Sequence, residues 1–215
     1  GAPMPPVDFV LAPGATGAAG ALAGVNTKEL QAELQKAMDA ANAGQHDAAI
    51  AAYEAILVKT PALTMINGQI AQVKRLKKDY DGAIASYQKV LAADPNNDKS
   101  KIEIGMTYLE KGDFANAEKS LLEVATSTSA SREVFYNLGE VKFAKAETDE
   151  AVKYYQRAVD MDGTWGKPLF KIGLAKLQKA DMAGALEIME KVIAVDPNSP
   201  EAAQAKGLIA QLKKG

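Results

Sequence analysis

The sequence predicts an all-α fold, a solenoid of about five helix–turn–helix repeats closed by a capping helix. Three observations carry that expectation. A short motif recurs at a fixed step of 34 residues, small residues keep the same step, and turn-forming residues punctuate the chain at one phase. Self-similarity at a fixed period marks arrays whose units bury their apolar faces against their neighbours.

The motif is clearest at Ala49 to Tyr53, Ala83 to Tyr87 and Ala151 to Tyr155, and looser at Ala117 to Leu121 and Ala185 to Met189. Its leading alanines, Ala49, Ala83, Ala117, Ala151 and Ala185, are 34 apart at every step (83 − 49, 117 − 83, 151 − 117, 185 − 151). Twelve residues earlier stand Ala37, Ala71, Gly105, Gly139 and Gly173, with Gly207 continuing the series. Ile70, Ile104, Leu138 and Ile172 precede the small residue.

Each repeat reads as two amphipathic helices with apolar residues at i, i+3 and i+4. In the second repeat these are Thr64–Lys77 and Tyr80–Ala93. Glycine inside a helix costs roughly 1 kcal/mol relative to alanine, so its use at one phase implies close helix crossings that offset the cost. Pro61, Pro95 and Pro197 follow the second helix and forbid its continuation. The third and fourth repeats lack that proline, and the third repeat's Thr126-Ser127-Thr128-Ser129 run predicts an irregular exit. Pro200 to Lys213 begins a sixth period without a second helix, and Lys206 stands where an apolar residue is expected. That is the pattern of a capping helix with a polar outer face.

Residues 1–26 differ. They are rich in Ala, Gly and Pro, carry only Asp8 as a charge, and read as a linker or arm ahead of a repeat domain spanning 27–215. Within the arm, Val7, Phe9, Val10 and Leu11 surround Asp8 between two prolines, an apolar, ligand-like segment. The composition is similar to the stretch behind a cleaved secretory signal, which gives an expectation of bacterial export to the periplasm, with the cytoplasm as the alternative.

The remaining chemistry narrows the function. A formal net charge of −2 gives no basic footprint, so nucleic acid is not the expected partner. The absence of cysteine and the single His46 remove thiolate nucleophiles, Cys-based zinc sites and His-paired relays. Asp94, Asn96 and Asp98 begin like a calcium loop, but Lys99 and Gly105 stand where glycine and glutamate are needed. No apolar run reaches the ~18 residues of a membrane span. The expectation is a protein without catalytic residues, cofactor or metal, whose glutamates form ordinary surface pairs with lysine.

The 34-residue period and strings such as Gly105-Met106-Thr107-Tyr108-Leu109-Glu110-Lys111-Gly112-Asp113-Phe114 resemble the tetratricopeptide repeat family from about Leu30 to Gly215. The resemblance implies a right-handed superhelix whose first helices line a concave groove. Carried over position by position, it places Met65, Gln72, Arg75 and Leu76 on the groove wall in the second repeat. It places Ile102, Met106, Leu109, Tyr136, Glu140, Phe143, Lys167, Phe170, Leu174 and Leu177 there in the next three, with Lys171 beside them. Asn137, Lys167 and Lys171 match part of the family's carboxylate-gripping pattern, but Ile102 and Met106 break its first half. The implied function is a scaffold or adaptor that binds a peptide or protein segment through an apolar groove. The alternative is self-assembly into a homo-oligomer, with the arm docked in its own or a neighbour's groove.

Overall fold

The computed structural model describes residues 26–127 and 130–213. Among them are eleven α-helices and no strand. They are α1 (Thr27–Asn42), α2 (His46–Lys59), α3 (Ile66–Leu76), α4 (Tyr80–Ala93), α5 (Asp98–Lys111) and α6 (Phe114–Ala125). Then follow α7 (Arg132–Ala144), α8 (Thr148–Met161), α9 (Gly166–Gln178), α10 (Met182–Val195) and α11 (Pro200–Leu212). The arm residues Val7, Phe9, Val10 and Leu11 lie outside the described residues.

The chain divides into two compact units, one ending at Lys111 and the other beginning at Gly112. In the first, α1 to α5 each pack on their sequence neighbours. In the second, α6 to α11 do the same, and α9 also touches α11. The repeat motif supplies the seams. The five alanines of the 34-residue series are fully buried. Four residues on, one helical turn further, Tyr53, Tyr87, Leu121, Tyr155 and Met189 are at most 2% exposed. Gly139 shows why the small series exists: a Cβ there would lie 2.4 Å from the Tyr155 ring. At Gly173 it would lie 2.7 Å from Met189 Cε.

The turn inside each repeat is also periodic. Gly44, Lys78, Gly112, Ala146 and Ala180, again 34 apart, all have φ between +59° and +84°. Each ends a first helix in the left-handed conformation typical of a Schellman motif. In four of the turns the next amide donates five residues back: Gln45 to Ala40 O, Asp79 to Lys74 O, Glu147 to Lys142 O and Asp181 to Lys176 O. Asp79, Asp113 and Asp181 then cap the second helix by accepting from the amides of Gly82, Asn116 and Gly184. Gln45, at the same phase, makes no such bond.

The α4 boundaries match the sequence expectation. By contrast, α3 starts at Ile66 rather than Thr64, because the amides of Ile66, Asn67 and Gly68 donate to carbonyls three residues back. That tight entry follows the proline-led turn at Pro61 and delays regular α geometry.

Candidate functional site

The first helices of the repeats carry apolar residues at one phase, i, i+4 and i+7, so that each triplet shares a helix face. In the first unit α5 presents Ile102, Met106 and Leu109, all half-buried, while Met65, just ahead of α3, is 60% exposed and Leu76, at its end, 53%. In the second unit α7 presents Tyr136, Glu140 and Phe143, and α9 presents Phe170, Leu174 and Leu177. Tyr136 and Phe170 are only 6% and 7% exposed, so they fill the seams between helices as well as bounding the face. Phe143, Leu174 and Leu177 remain half-buried.

Along α9 and α11 this face opens into a hollow of about 360 Å³, walled by Phe170, Leu174 and Leu208. Gly207 forms part of its lining, and Gln204 and Gln211 bring amides to its edge. A Cβ added at Gly207 would meet nothing within 4 Å. The sequence reading took α11 as a cap, and Lys206 is indeed exposed, but the helix also contributes one wall of the hollow. The missed signal was the period itself: Gln204 and Leu208 stand 34 residues after Phe170 and Leu174.

Polar groups surround the apolar ones. Glu140 accepts a hydrogen bond from the Tyr155 hydroxyl at 2.5 Å and pairs with Lys171 Nζ at 2.8 Å. Burial, and then the negative charge of Glu140, push the Tyr136 and Tyr155 phenols well above their ordinary range. Both therefore stay protonated and act as donors. Tyr136 packs at 5.7 Å from Tyr155 and 5.2 Å from Trp165, centroid to centroid. The Arg132 guanidinium lies 4.7 Å from the Trp165 ring, and Lys167 Nζ lies 4.8 Å from that of Tyr136. Lys171 thus has its charge matched, whereas Lys167 faces an aromatic ring and has no carboxylate within ion-pair distance among the described residues.

The first unit repeats the theme on other residues. The Tyr87 hydroxyl donates to Glu103 at 3.4 Å, and Arg75 Nη1 pairs with the same carboxylate at 2.5 Å. Burial and then Glu103 raise the Tyr87 phenol likewise. The Tyr53 hydroxyl and the side-chain oxygens of Gln69 and Gln72 are buried without a protein partner among the described residues. The expectation of ordinary surface pairs holds at Glu150 with Lys153. It is corrected at Glu103 and Glu140, whose side chains are 18% and 24% exposed beneath tyrosine hydroxyls.

A periodic array of helical hairpins, with apolar residues in phase on its first helices, defines the class of repeat proteins that serve as protein-interaction modules. Sequence profiles of the tetratricopeptide repeat match residues 34–98, 75–136, 133–164 and 169–199. The chain belongs to the tetratricopeptide repeat family. Among solved structures, the chain is similar to a MamA protein at 34% identity, with a TM-score of 0.57, covering 70% of this chain and 82% of that one. MamA residues 41 to the end from Desulfovibrio magneticus RS-1 match at 19% identity and TM-score 0.65, covering 80% and 97%. YrrB, described as a TPR protein with an unusual peptide-binding site, matches at 18% identity and TM-score 0.58, covering 88% and 97%. No curated protein matches the sequence. Among the described residues no helix is long and apolar enough to cross a membrane, and no cluster of three or more His, Cys, Asp or Glu residues is arranged to hold a metal ion.

Proposed function

We propose that residues 27–215 form a non-catalytic scaffold or adaptor domain that holds a peptide segment of another protein against the faces of its first helices. The observation that carries this reading is the hollow between α9 and α11, lined by Phe170, Leu174 and Leu208 and edged by two amides. Recognition sites of this kind take an apolar anchor in the pocket while amides pair the ligand backbone. Phe143, Leu177, Glu140, Lys167 and Lys171 extend the site in the second unit, and Ile102, Met106 and Leu109 offer a separate face in the first. The composition of residues 1–26 supports an exported bacterial setting.

The test is a displayed peptide library panned against the full chain, followed by binding of the enriched peptides to the parent and to Leu174→Glu. Enriched sequences with spaced large apolar residues should bind the parent and lose most of their affinity for the variant, whose circular dichroism stays helical. Peptides that bind both proteins equally, or a library that yields none, would overturn the assignment.

A further inference from the structure

The hollow has a candidate occupant within the chain itself. Phe9 is the only aromatic residue outside the repeats; the other twelve fall between Tyr53 and Phe170. It sits in Val7-Asp8-Phe9-Val10-Leu11, the one apolar run of an arm otherwise made of small and turn-forming residues. We propose that the α9–α11 hollow receives Phe9 from the N-terminal arm of a second copy of this chain. The proposal rests on the groove reading above and names its partner.

Size, backbone and charge agree. A hollow of about 360 Å³ with no side chain on Gly207 has room for an aromatic ring beside Leu11, which an extended backbone puts on the same side as Phe9. Pro5, Pro6 and Pro13 flank the run and favour an extended backbone that loses little entropy on docking. Gln204 and Gln211 each offer an NH₂ group with two donors and a carbonyl acceptor to such a backbone. Asp8 is the only charged side chain in residues 1–26, and it is adjacent to Phe9. Lys167, which faces the Tyr136 ring and has no carboxylate within ion-pair distance among the described residues, precedes Phe170 by three residues, so it stands one helical turn from the hollow on α9. An acid next to an aromatic meets a cation one turn from an aromatic-lined pocket.

A second copy suits the exchange. The stretch between Leu11 and Asn26 is rich in alanine and glycine, a composition whose average reach at that length is about 20 Å. Reciprocal docking of two such arms closes a two-fold dimer, and each contact raises the effective concentration of the other.

Sedimentation velocity of the full chain over a wide concentration range provides the first readout. The parent is expected to move from monomer to dimer. Phe9→Ala, which removes the anchor, should weaken association about thirtyfold. Gly207→Trp puts a large ring on the lining of the hollow, at a position where a Cβ meets nothing within 4 Å, and should weaken association as much. Lys206→Ala, on the exposed outer side of α11, should leave it unchanged. The decisive step mixes the two variants: Phe9→Ala keeps the hollow and Gly207→Trp keeps the arm, so the mixture should form a heterodimer that neither forms alone.

Binding of a labelled synthetic peptide of residues 3–13 to Phe9→Ala gives the second readout, and it should be lost when Gly207→Trp is also present. A parent that stays monomeric while the peptide binds means that the arm folds back on its own chain, and it overturns the second copy as occupant. A dimer insensitive to both Phe9→Ala and Gly207→Trp overturns the interface. If library peptides bind the hollow but the 3–13 peptide does not, the proposal fails and the groove reading stands.

Discussion

Ala180→Gly should make the protein more stable, against the usual rule for glycine near a helix. Ala180 has φ +59° and Ala146 has φ +60°. The left-handed conformation costs an L-residue with a Cβ roughly 1–2 kcal/mol, while glycine adopts it freely. Glycine's larger unfolded-state entropy takes back about 0.5–1 kcal/mol. Both alanines are exposed, so loss of the methyl forfeits no burial. Both Schellman hydrogen bonds are backbone bonds, such as Ala180 N–H to Leu177 O at 2.9 Å and Asp181 N–H to Lys176 O at 2.9 Å, and they survive the change. The net expectation is a gain of about 0.5–1 kcal/mol per site, roughly additive in the double variant because the two turns share no partner. The reverse change, Gly44→Ala at φ +74°, meets nothing within 4 Å, so its cost of about 1 kcal/mol is purely conformational. Urea unfolding should show a higher midpoint at unchanged slope for Ala180→Gly and a lower one for Gly44→Ala. A drop of about 1 kcal/mol for Ala180→Gly, the penalty of an interior helical glycine, would refute the assignment of these five positions to one turn type.

Three other expectations concern the seams. Gly139→Leu should cost about 3 kcal/mol or more in thermal unfolding, because its Cβ alone would overlap Tyr155, whereas Gly207→Leu at the same phase should cost little. Glu118 is held below the ordinary carboxylate range, first by its hydrogen bonds to Lys142 and Lys145. Its contribution is therefore present above the unfolded value near ~4.3 and lost as pH falls through the lower folded value. Glu118→Gln should accordingly be less stable by about 1 kcal/mol at neutral pH, with the difference closing in acid, as read by urea titrations across pH. Gln45→Asp restores the acceptor that caps α4, α6 and α10, and should raise the unfolding midpoint by about 0.5–1 kcal/mol in equivalent stability.

The period carried most of the fold because every seam is a local event between neighbours 34 residues apart, and one residue type serves each event. The turns were less legible for the converse reason. Only Gly44 and Gly112 advertise a left-handed residue by type, while Lys78, Ala146 and Ala180 adopt it because the Schellman bonds on either side hold them there. On the candidate site, the apolar positions of α5, α7 and α9 could be read from the family pattern. The pairing of Tyr87 with Glu103 and of Tyr155 with Glu140 could not, since glutamates along an amphipathic helix look alike until burial separates them. The role of α11 was hidden by Lys206, which correctly marks one side of the helix as solvent-facing and says nothing of the side that bears Leu208.

The two tyrosine–carboxylate pairs differ in where the acid comes from. Tyr155 takes its acceptor from Glu140, inside its own repeat, while Tyr87 takes Glu103 from the first helix of the repeat that follows. A shortened chain that stops after Met161 keeps the Tyr155 hydroxyl bonded. One that stops after Ala93 loses Glu103 together with the helix that covers Tyr87, so the ring gives up its burial and its hydroxyl turns to water. The fourth repeat is thus suited to be a terminus or a transplanted module, and the second is suited only to the interior of an array.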